Sequence, residues 1–392
     1  MKNNQHDETS AIRDQTPRSA EREHSAPIFM TSSFVFESAE QARALFAEEQ
    51  KGNIYTRFSN PNNDEFVRKM AELERLPDGF ACASGMSAIF TSMAALLKSG
   101  DHVVCARSVF GSTHQILTQI FPRWGIEFTY VDIADQYNWE KAFKPNTKML
   151  FLETPSNPSL DIIDLEHVGK ICKANKVLLN VDNCFCTPVL QKPAEFGADI
   201  VIHSATKYID GQGRALGGII LARADLMKDI RFFARHTGPA LSPFNAWLFS
   251  KSLETLDLRM QRHSENALKL AEALQKNSEI EKVIYPFLPD HPGYALAKKQ
   301  MKSGGGIVTF ILKGGIDRGR KFLDSLTMLS HTANLGDTRT IATHPASTTH
   351  SKLTDAEREA VGILPGMVRI SAGLENAGDI LADIKQALNR SK

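Results

Sequence analysis

Two polar residues stand where apolar stretches of the sequence end, and their side chains suit one kind of chemistry. Asp182 closes the apolar stretch Val177–Asp182, and Lys207 follows the next one, Ile200–Ile202. Burial lowers the pKa of a lysine and supplies the neutral amine that a Schiff base needs. An aspartate beside a pyridine nitrogen keeps that nitrogen protonated, so that the ring withdraws electrons. Alone, each residue fits a helix cap or a solvated surface, but together at successive strand ends they indicate a catalytic site.

A second signal is the segment Ser84-Gly85-Met86, which opens a predicted helix. The free backbone N–H groups and the helix dipole make such an N-terminus a binding site for phosphate, and Gly85 permits close approach of the backbone. Ser204 and Thr206 can add hydroxyl donors to the same phosphate. Many helices begin with Ser-Gly, so this motif is weak by itself.

The elements around these residues alternate between apolar strands and amphipathic helices. The predicted strands are His102–Ala106, Phe128–Asp132, Met149–Glu153, Val177–Asp182, Ile200–Ile202 and Gly218–Ala222. The predicted helices between or before them are Asp64–Leu76, Met86–Leu97, Gln115–Trp124 and Leu165–Ala174. This pattern predicts an α/β fold with a mostly parallel sheet covered on both faces, whose ligands lie beyond the carboxyl ends of the strands.

The 392 residues are too many for one small core and predict more than one domain. Residues 1–60 lack sustained periodicity and are predicted to form an arm that contacts a neighbouring subunit. Residues 61–255 are predicted to form the large cofactor-binding domain. A long helix, Asn245–Leu274, leads into a smaller α+β domain of residues 256–392, with strands at Gly306–Ile311 and Val368–Ser371 and a final helix at Ala377–Leu388.

Composition excludes several classes of protein. The net charge is only +1, which argues against nucleic acid or an anionic membrane as a partner. The polar start lacks the apolar core of a secretory signal, and no apolar run is long enough to span a membrane. The five cysteines have neither redox nor zinc-knuckle spacing and are expected to be reduced thiols of a cytoplasmic protein.

Four motifs occur in an order that resembles the family of pyridoxal-phosphate (PLP) enzymes of Cys/Met metabolism. They are Ser84-Gly85-Met86, Glu153-Thr-Pro-Ser-Asn-Pro158, Val181-Asp182-Asn183 and Ser204-Ala-Thr-Lys-Tyr208. The resemblance extends from about Pro27 to Leu388. It implies the PLP-dependent transferase fold of aspartate-aminotransferase type I, with a smaller C-terminal α+β domain, and a homotetramer built as a dimer of dimers with shared active sites.

The resemblance also implies roles for single residues around the cofactor. Lys207 resembles the lysine that carries PLP and shuttles the proton, Asp182 the partner of the ring nitrogen, and Asn157 the residue near the ring hydroxyl. The phosphate site corresponds to Ser84, Gly85, Met86, Ser204 and Thr206.

Three further residues have roles that only the resemblance suggests. Tyr55 and Arg57 resemble a pair that reaches the phosphate of the neighbouring subunit, although Arg57 alone would be taken for a surface ion pair. Arg369 resembles the arginine that binds the substrate α-carboxylate, for which a planar guanidinium is suited. From the sequence alone, an exposed strand arginine is an equal alternative.

Two departures from the family pattern bear on the reaction. Phe110 stands where many members have a tyrosine over the ring; it can stack on the ring but has no hydroxyl, so proton transfer must depend on Lys207. Asn334-Leu-Gly-Asp337 replaces the Ser-Leu-Gly of lyases and synthases, and Asn334 is predicted to bind substrate. Both departures resemble the O-succinylhomoserine sulfhydrylases. His344 and His350 lack an evident third ligand, so no metal is predicted.

The predicted reaction is a γ-replacement in which O-succinyl-L-homoserine and sulfide give L-homocysteine and succinate, as in methionine biosynthesis. Cystathionine γ-synthase and methionine or cystathionine γ-lyase remain alternatives, and the sequence leaves open succinyl or acetyl ester and sulfide or cysteine. A nicotinamide-dinucleotide enzyme is suggested by Gly211-x-Gly213, but that segment precedes a strand and does not open a helix. A PLP-fold protein without activity is disfavoured by the presence of both Lys207 and Asp182.

Overall fold

A computed structural model describes residues 5–348, 351, 354, 358 and 362–392. Its larger sheet has seven strands in the order β1-β7-β6-β5-β4-β2-β3. The strands are β1 (Asp78–Cys82), β2 (His102–Ala106), β3 (Glu127–Val131), β4 (Thr147–Glu153), β5 (Leu178–Asp182), β6 (Ile200–Ser204) and β7 (Gly218–Ala222). Strands β2 to β6 are mutually parallel, and β7 runs antiparallel to both β6 and β1. The predicted α/β fold with a mostly parallel sheet is thus confirmed.

Alternate residues of these strands enter two cores on opposite faces of the sheet. Leu150 and Val181 lie in one core, and Phe151 and Ile202 in the other. The helices that precede or cover this sheet are α1 (Asp7–Arg13), α2 (Ala39–Phe46), α3 (Pro61–Glu74), α4 (Gly85–Ala94), α5 (Gly111–Gln115), α6 (Leu165–Asn175), α7 (Thr187–Leu190), α8 (Ala224–Thr237) and α9 (Pro243–Leu253). Because both faces are buried, the strands are continuously apolar, which is why the sequence revealed them.

A second sheet lies in the C-terminal part of the chain and has its own apolar core. Its strands are β8 (Ile280–Ile284), β9 (Ile307–Leu312), β10 (Ser330–His331), β11 (Ile341–Thr343) and β12 (Met367–Ser371), in the order β10-β11-β12-β9-β8. The helices there are α10 (Leu256–Gln275), α11 (Tyr294–Gln300), α12 (Gly315–Ser325) and α13 (Ala377–Arg390). Phe310 and Phe322 pack edge to face in its core.

Two predicted helices are interrupted. The segment predicted as Asn245–Leu274 is divided between α9 and α10, because Thr255 has a non-helical ψ of 7° and the Arg259 guanidinium donates to the carbonyl of Ser252 at the end of α9. The segment predicted as Gln115–Trp124 continues from α5 into one π-helical and one 3₁₀ turn. Pro122 cannot donate a backbone hydrogen bond there, so a regular α-helix cannot continue.

The N-terminal residues contain two helices that the sequence did not predict. In α1, the Ser10 hydroxyl donates to Glu72 of α3 at 2.7 Å, and Lys192 forms an ion pair with Asp7 at 2.8 Å. Both α1 and α2 are too short to show a periodic pattern. The described start of the arm therefore packs on its own chain, and its contact with a neighbouring subunit stays a prediction. None of the helices in the described part of the chain has the length and apolar character needed to cross a membrane.

Candidate active site

The carboxyl ends of three neighbouring strands bring the predicted site together. Glu153 ends β4, Asp182 ends β5 and Ser204 ends β6. Glu153 and Asp182 are register partners in adjacent parallel strands, so their side chains leave the same face of the sheet. Lys207 lies in the turn that follows β6, where its backbone N–H donates to the carbonyl of Ser204.

The Lys207 side chain reaches across to the loop between β10 and β11 of the second sheet. Its Nζ donates to Oδ1 of Asn334 at 2.5 Å. Burial lowers the pKa of this amine, and the positive charge of Arg369 lowers it further, although Cys184 acts in the opposite direction. A lowered pKa raises the fraction of neutral amine, which is the form that bonds an aldehyde.

Arg369 on β12 lies in the same cluster and is only 6% exposed. Its Nη1 donates to Oδ1 of Asn157 at 2.9 Å, and its Nη2 donates to the backbone carbonyl of Asn334 at 3.0 Å. Its Nε has no partner among the described residues. Burial lowers the pKa of this guanidinium to about 10. A buried cation with a spare donor fits an anionic ligand such as a carboxylate.

Asp182 accepts a hydrogen bond at Oδ1 from the backbone N–H of Cys184 at 3.0 Å. Burial raises the pKa of Asp182 to about 6, against the opposing effects of that hydrogen bond and of His203. Burial thus disfavours the charged form of this carboxyl group. A cationic group beside it would stabilise the charged form.

The N-terminus of α4 has the features expected of a phosphate site. Ser84 is the N-cap, and its hydroxyl accepts from the backbone N–H of Ser87 at 3.1 Å. The first-turn N–H groups of Gly85 and Met86 have no acceptor within the helix. A Cβ added to Gly85 would lie 2.6 Å from Cβ of Ser204, so β6 abuts the helix end closely enough to require glycine.

Thr206, like Ser84, has a hydroxyl that is engaged within the protein. Its hydroxyl accepts from the backbone N–H of Gly217 at 3.1 Å and lies 3.3 Å from the carbonyl of the same residue. These contacts hold the loop between Lys207 and β7. The structure thus places Thr206 beside the cradle with its hydroxyl engaged in the protein.

Phe110, Tyr55 and Arg57 are the predicted residues with exposed side chains. Phe110 is 46% exposed at the start of α5. Arg57 lies over the ring of Tyr55 at 4.9 Å and donates to the backbone carbonyl of Arg235 at 2.9 Å. Within one chain, the structure does not bring Tyr55 and Arg57 into contact with the residues around Lys207.

Comparison with known proteins identifies the family to which this chain belongs. The family model for the Cys/Met metabolism PLP-dependent enzymes matches residues 8–389. The chain belongs to this family. Its relatives include an O-succinylhomoserine sulfhydrylase of Pseudomonas aeruginosa, 48% identical over 97% of this chain and 94% of the relative. An L-methionine gamma-lyase of Fusobacterium nucleatum is 45% identical over 93% of both chains.

Solved structures of the family agree with the fold. A crystal structure from Campylobacter jejuni, described as an O-acetylhomoserine (thiol)-lyase, has a TM-score of 0.94 and 34% identity over 98% of this chain and 100% of the other. That structure contains N'-pyridoxyl-lysine-5'-monophosphate. PLP is the cofactor of the Cys/Met metabolism family, and the chain has the PLP-dependent transferase fold that the sequence predicted.

The residues of this chain fit that cofactor. Lys207 supplies a buried amine of lowered pKa, and Asp182 a buried carboxylate for the ring nitrogen. The glycine cradle at α4 supplies N–H donors for the phosphate. An amine, a carboxylate and a helix N-terminus thus suit the aldehyde, the ring nitrogen and the phosphate of PLP, respectively.

His344, noted in the sequence as half of a possible metal pair, has a structural role. Both ring nitrogens of His344 are hydrogen-bonded, to the Ser347 hydroxyl and to the Pro365 carbonyl, each at 2.8 Å; His350 lies outside the described residues. In the described part of the chain, no group of three His, Cys, Asp or Glu side chains is placed to hold a metal. Gly304–Gly306 lead directly into β9, and a Cβ added to Gly304 or Gly306 would lie 2.5 Å from the Tyr285 ring or 2.6 Å from the Tyr208 hydroxyl.

Sequence reasoning missed one residue of this cluster. Glu153 was part of a recognised motif but was assigned no role. It is 7% exposed, and its Oε1 has no hydrogen-bond partner among the described residues. The signal was present in the sequence, because Glu153 closes an apolar strand just as Asp182 does.

Proposed function

We propose that this Cys/Met metabolism enzyme catalyses PLP-dependent γ-replacement, in which O-succinyl-L-homoserine and sulfide give L-homocysteine and succinate. The observation that carries this proposal is the convergence of Lys207 and Arg369 on Asn334, through Oδ1 at 2.5 Å and the backbone carbonyl at 3.0 Å. The pair can bind an α-amino acid by its carboxylate and hold a base near its α-carbon.

Each residue contributes a separate function. Arg369 binds the α-carboxylate with its guanidinium fork. Bound PLP supplies an electron sink that stabilises negative charge at the substrate carbon atoms. Lys207 Nζ takes the proton from the α-carbon and returns one at the end of the reaction, which the neutral amine favoured by burial permits.

Phe110 limits the number of side chains that can transfer protons in the site. A tyrosine at this position would offer a second acid or base, whereas phenylalanine offers only a ring face. Its exposure of 46% leaves that ring available to cover a bound planar group. The γ-leaving group departs as a carboxylate anion, which needs no protonation at neutral pH, so the proton transfers left to Lys207 are those at the substrate α- and β-carbons.

The relatives support both this reaction and one alternative reaction. The sulfhydrylases of Pseudomonas aeruginosa and of Mycobacterium tuberculosis are 48% and 42% identical to the chain. The methionine gamma-lyase of Fusobacterium nucleatum, at 45%, favours γ-elimination of methionine as the second candidate. Elimination releases a thiol, a 2-oxo acid and ammonia, whereas replacement forms a new C–S bond.

A product assay separates the two candidates. Purified enzyme loaded with PLP is given O-succinyl- or O-acetylhomoserine together with sulfide or cysteine, and in a parallel reaction methionine alone. Homocysteine as the main product with the succinyl ester and sulfide is the expected result. Cystathionine as the main product, or 2-oxobutanoate and methanethiol from methionine at a higher rate, would overturn the proposal.

We further propose that the site is completed by a second chain within a homotetramer. Tyr55 and Arg57 stack on each other at the surface and contact no residue of the Lys207 cluster in their own chain. An exposed arginine held by one backbone hydrogen bond can turn to an anion without losing a buried ion pair. The phosphate at α4 of a neighbouring subunit is the proposed ligand.

A further inference from the structure

A buried polar network lies behind the ends of β4, β5 and β6. Its centre is the carboxylate of Glu74, the last residue of α3, which is completely buried, as are Asn183 and His203. Oε1 of Glu74 accepts from Nδ2 of Asn183 at 2.8 Å and lies 2.6 Å from Nε2 of His203. A carboxylate oxygen can only accept, so Nε2 of His203 carries the proton in this contact. One oxygen atom thus joins a residue of β6 to the residue that follows β5.

Two amide side chains extend this network to the loop after β4. The Asn183 amide donates to the backbone carbonyl of Gln191 at 2.8 Å and accepts from the Gln191 amide at 3.1 Å. The Gln191 amide also donates to the backbone carbonyl of Thr154 at 2.9 Å, one residue beyond the end of β4. Buried polar groups that satisfy one another are rigid, because each broken bond would leave a group unpaired in a medium of low dielectric constant. The network therefore holds three strand ends relative to one another.

The side-chain bonds of the network begin where the backbone pairing of β5 and β6 stops. The register of the two strands ends with Asp182 opposite Ile202, and one further backbone bond joins the N–H of Asn183 to the carbonyl of Ile202 at 3.0 Å. Asn183 and His203 are the next residue along each chain, and both contact Glu74. Nδ1 of His203 has no partner among the described residues, so the Glu74 carboxylate is the contact that orients its ring.

The two residues that contact Glu74 adjoin the proposed cofactor site. Asn183 directly follows Asp182, and His203 directly precedes Ser204, whose carbonyl accepts from the backbone N–H of Lys207 at 3.2 Å. Because successive residues of a strand point to opposite faces, His203 lies behind Ser204 and outside the site. A displacement of either strand end would therefore change the position of Asp182 relative to the turn that bears Lys207.

We propose that Glu74 and Asn183 are positioning residues, whose hydrogen bonds hold the ends of β5 and β6 at the spacing at which Asp182 and Lys207 contact one cofactor. Residues that contact a ligand keep their geometry only where further hydrogen bonds support them. The inference rests on the proposed assignment of Asp182 and Lys207 to PLP. It does not depend on which γ-substituted amino acid the enzyme uses.

The test compares variants of Asn183 and Glu74 by their affinity for PLP. Asn183→Ala deletes the amide without adding a charge. Asn183→Asp places a second carboxylate against that of Glu74, where Nδ2 donates at 2.8 Å in the wild type. The double variant Asn183→Asp with Glu74→Gln keeps one negative charge and allows the bond between the two residues to run in the reverse direction. Each apoprotein is titrated with PLP and followed by visible absorbance and by circular dichroism of the cofactor band, and thermal unfolding without cofactor monitors folding.

Asn266→Ala is the matched control. Asn266 is a buried asparagine of α10, and its amide donates to the backbone carbonyls of Gly373 and Glu375 at 2.9 and 2.8 Å. Its loss should lower the Tm of the apoprotein but leave PLP affinity and the dichroism of the cofactor band unchanged. This variant separates a general loss of stability from a loss of positioning.

If the network positions the site, Asn183→Ala and Asn183→Asp bind PLP about tenfold or more weakly than wild type, with altered dichroism; a factor of ten corresponds to about 1.4 kcal/mol. The double variant should bind PLP at least about threefold more tightly than Asn183→Asp alone, which corresponds to about 0.6 kcal/mol.

Wild-type affinity and dichroism in Asn183→Ala, whatever its Tm, would overturn the inference even if Asn183→Asp does not fold. A double variant that binds PLP no more tightly than Asn183→Asp would also overturn it. Persistence of the absorbance band of lysine-bound PLP in Lys207→Ala would instead overturn the assignment of Lys207, and failure of the wild-type product assay would overturn only the proposed reaction.

Discussion

The amine of Lys207 lies 2.5 Å from Oδ1 of Asn334, and the backbone carbonyl of Asn334 accepts from Arg369 at 3.0 Å. Asn334 thus connects Lys207, the proposed base beside the large sheet, to Arg369, the residue of the second sheet that is proposed to bind the substrate carboxylate. A serine at this position would be too short to make the same contact with its side chain. The relationship suggests that Asn334 orients Lys207 when the amine is free.

Lys207→Ala should abolish catalysis. Removal of the amine removes the proposed proton carrier, and general acid–base groups contribute about 10²–10⁴-fold to rate. We expect homocysteine formation to fall by at least about 10³-fold, together with loss of the absorbance band of lysine-bound PLP. Far-UV circular dichroism should be unchanged, since the side chain ends in a polar cluster. Undiminished turnover would contradict the account of the site.

Asn334→Ala should lower kcat and leave KM nearly unchanged. The substitution deletes the acceptor for Lys207 but leaves the backbone carbonyl that accepts from Arg369. A hydrogen bond to a charged or polarised group contributes about 1.5–3 kcal/mol, so kcat should fall about tenfold or more. KM for the amino-acid substrate should change less than threefold, by about 0.6 kcal/mol at most. Steady-state kinetics measures both, and a rise in KM without a fall in kcat would assign Asn334 to substrate binding alone.

The pH dependence of cofactor capture should reveal the lowered pKa of Lys207. Its neutral amine attacks the aldehyde, so the rate constant for PLP binding to apoprotein should rise with pH as Nζ loses its proton. Burial lowers this pKa from 10.5, so the rise should level off below pH 10.5. Stopped-flow absorbance follows the reaction. A rate that still rises steeply above that pH would show that the amine is solvated.

Asp182→Asn should stabilise the apoprotein while it weakens PLP binding. The folded-state pKa of Asp182 is raised to about 6 from 3.8, so the folded state binds more protons and loses stability as pH rises between these values. Asn carries no such cost. Apoprotein Tm should therefore be higher in the variant above pH 6, by roughly 1–2 °C for each kcal/mol recovered, and equal to wild type below about pH 4. A lower Tm at neutral pH would contradict the burial of an uncompensated charge.

The sequence predicted the central sheet well because buried parallel strands leave an unambiguous apolar pattern. It also located Asp182 and Lys207, since polar residues at the ends of such strands are conspicuous. It did not predict β1, whose pattern is short and contains Gly79. It did not predict the break between α9 and α10 either, because the Arg259–Ser252 hydrogen bond that accompanies it joins residues of different helices.

The sequence could not establish which residues of the site touch. Arg369 was equally consistent with an exposed strand position, and only the packing of β12 shows it to be buried against Asn157 and Asn334. Glu153 was visible as a strand-end acid, but only the packed structure shows that its Oε1 is buried without a hydrogen-bond partner among the described residues. Such contacts join distant segments and have no local signature.

Complementation between two inactive variants should show whether active sites are shared. Arg57→Ala removes the arginine proposed to reach the neighbouring phosphate, and Lys207→Ala removes the amine. In a mixed dimer, one site would take its lysine from the first variant and its arginine from the second, so it would be intact. Unfolding and refolding an equimolar mixture should restore roughly a quarter of wild-type activity, because half of the randomly formed dimers are mixed and each has one intact site. Activity no greater than the sum of the separate variants would place Arg57 outside the neighbouring site. Lys51→Ala, at an exposed position of the same loop region, should be fully active alone and should give roughly half of wild-type activity when mixed with Lys207→Ala, because half of the subunits keep the lysine.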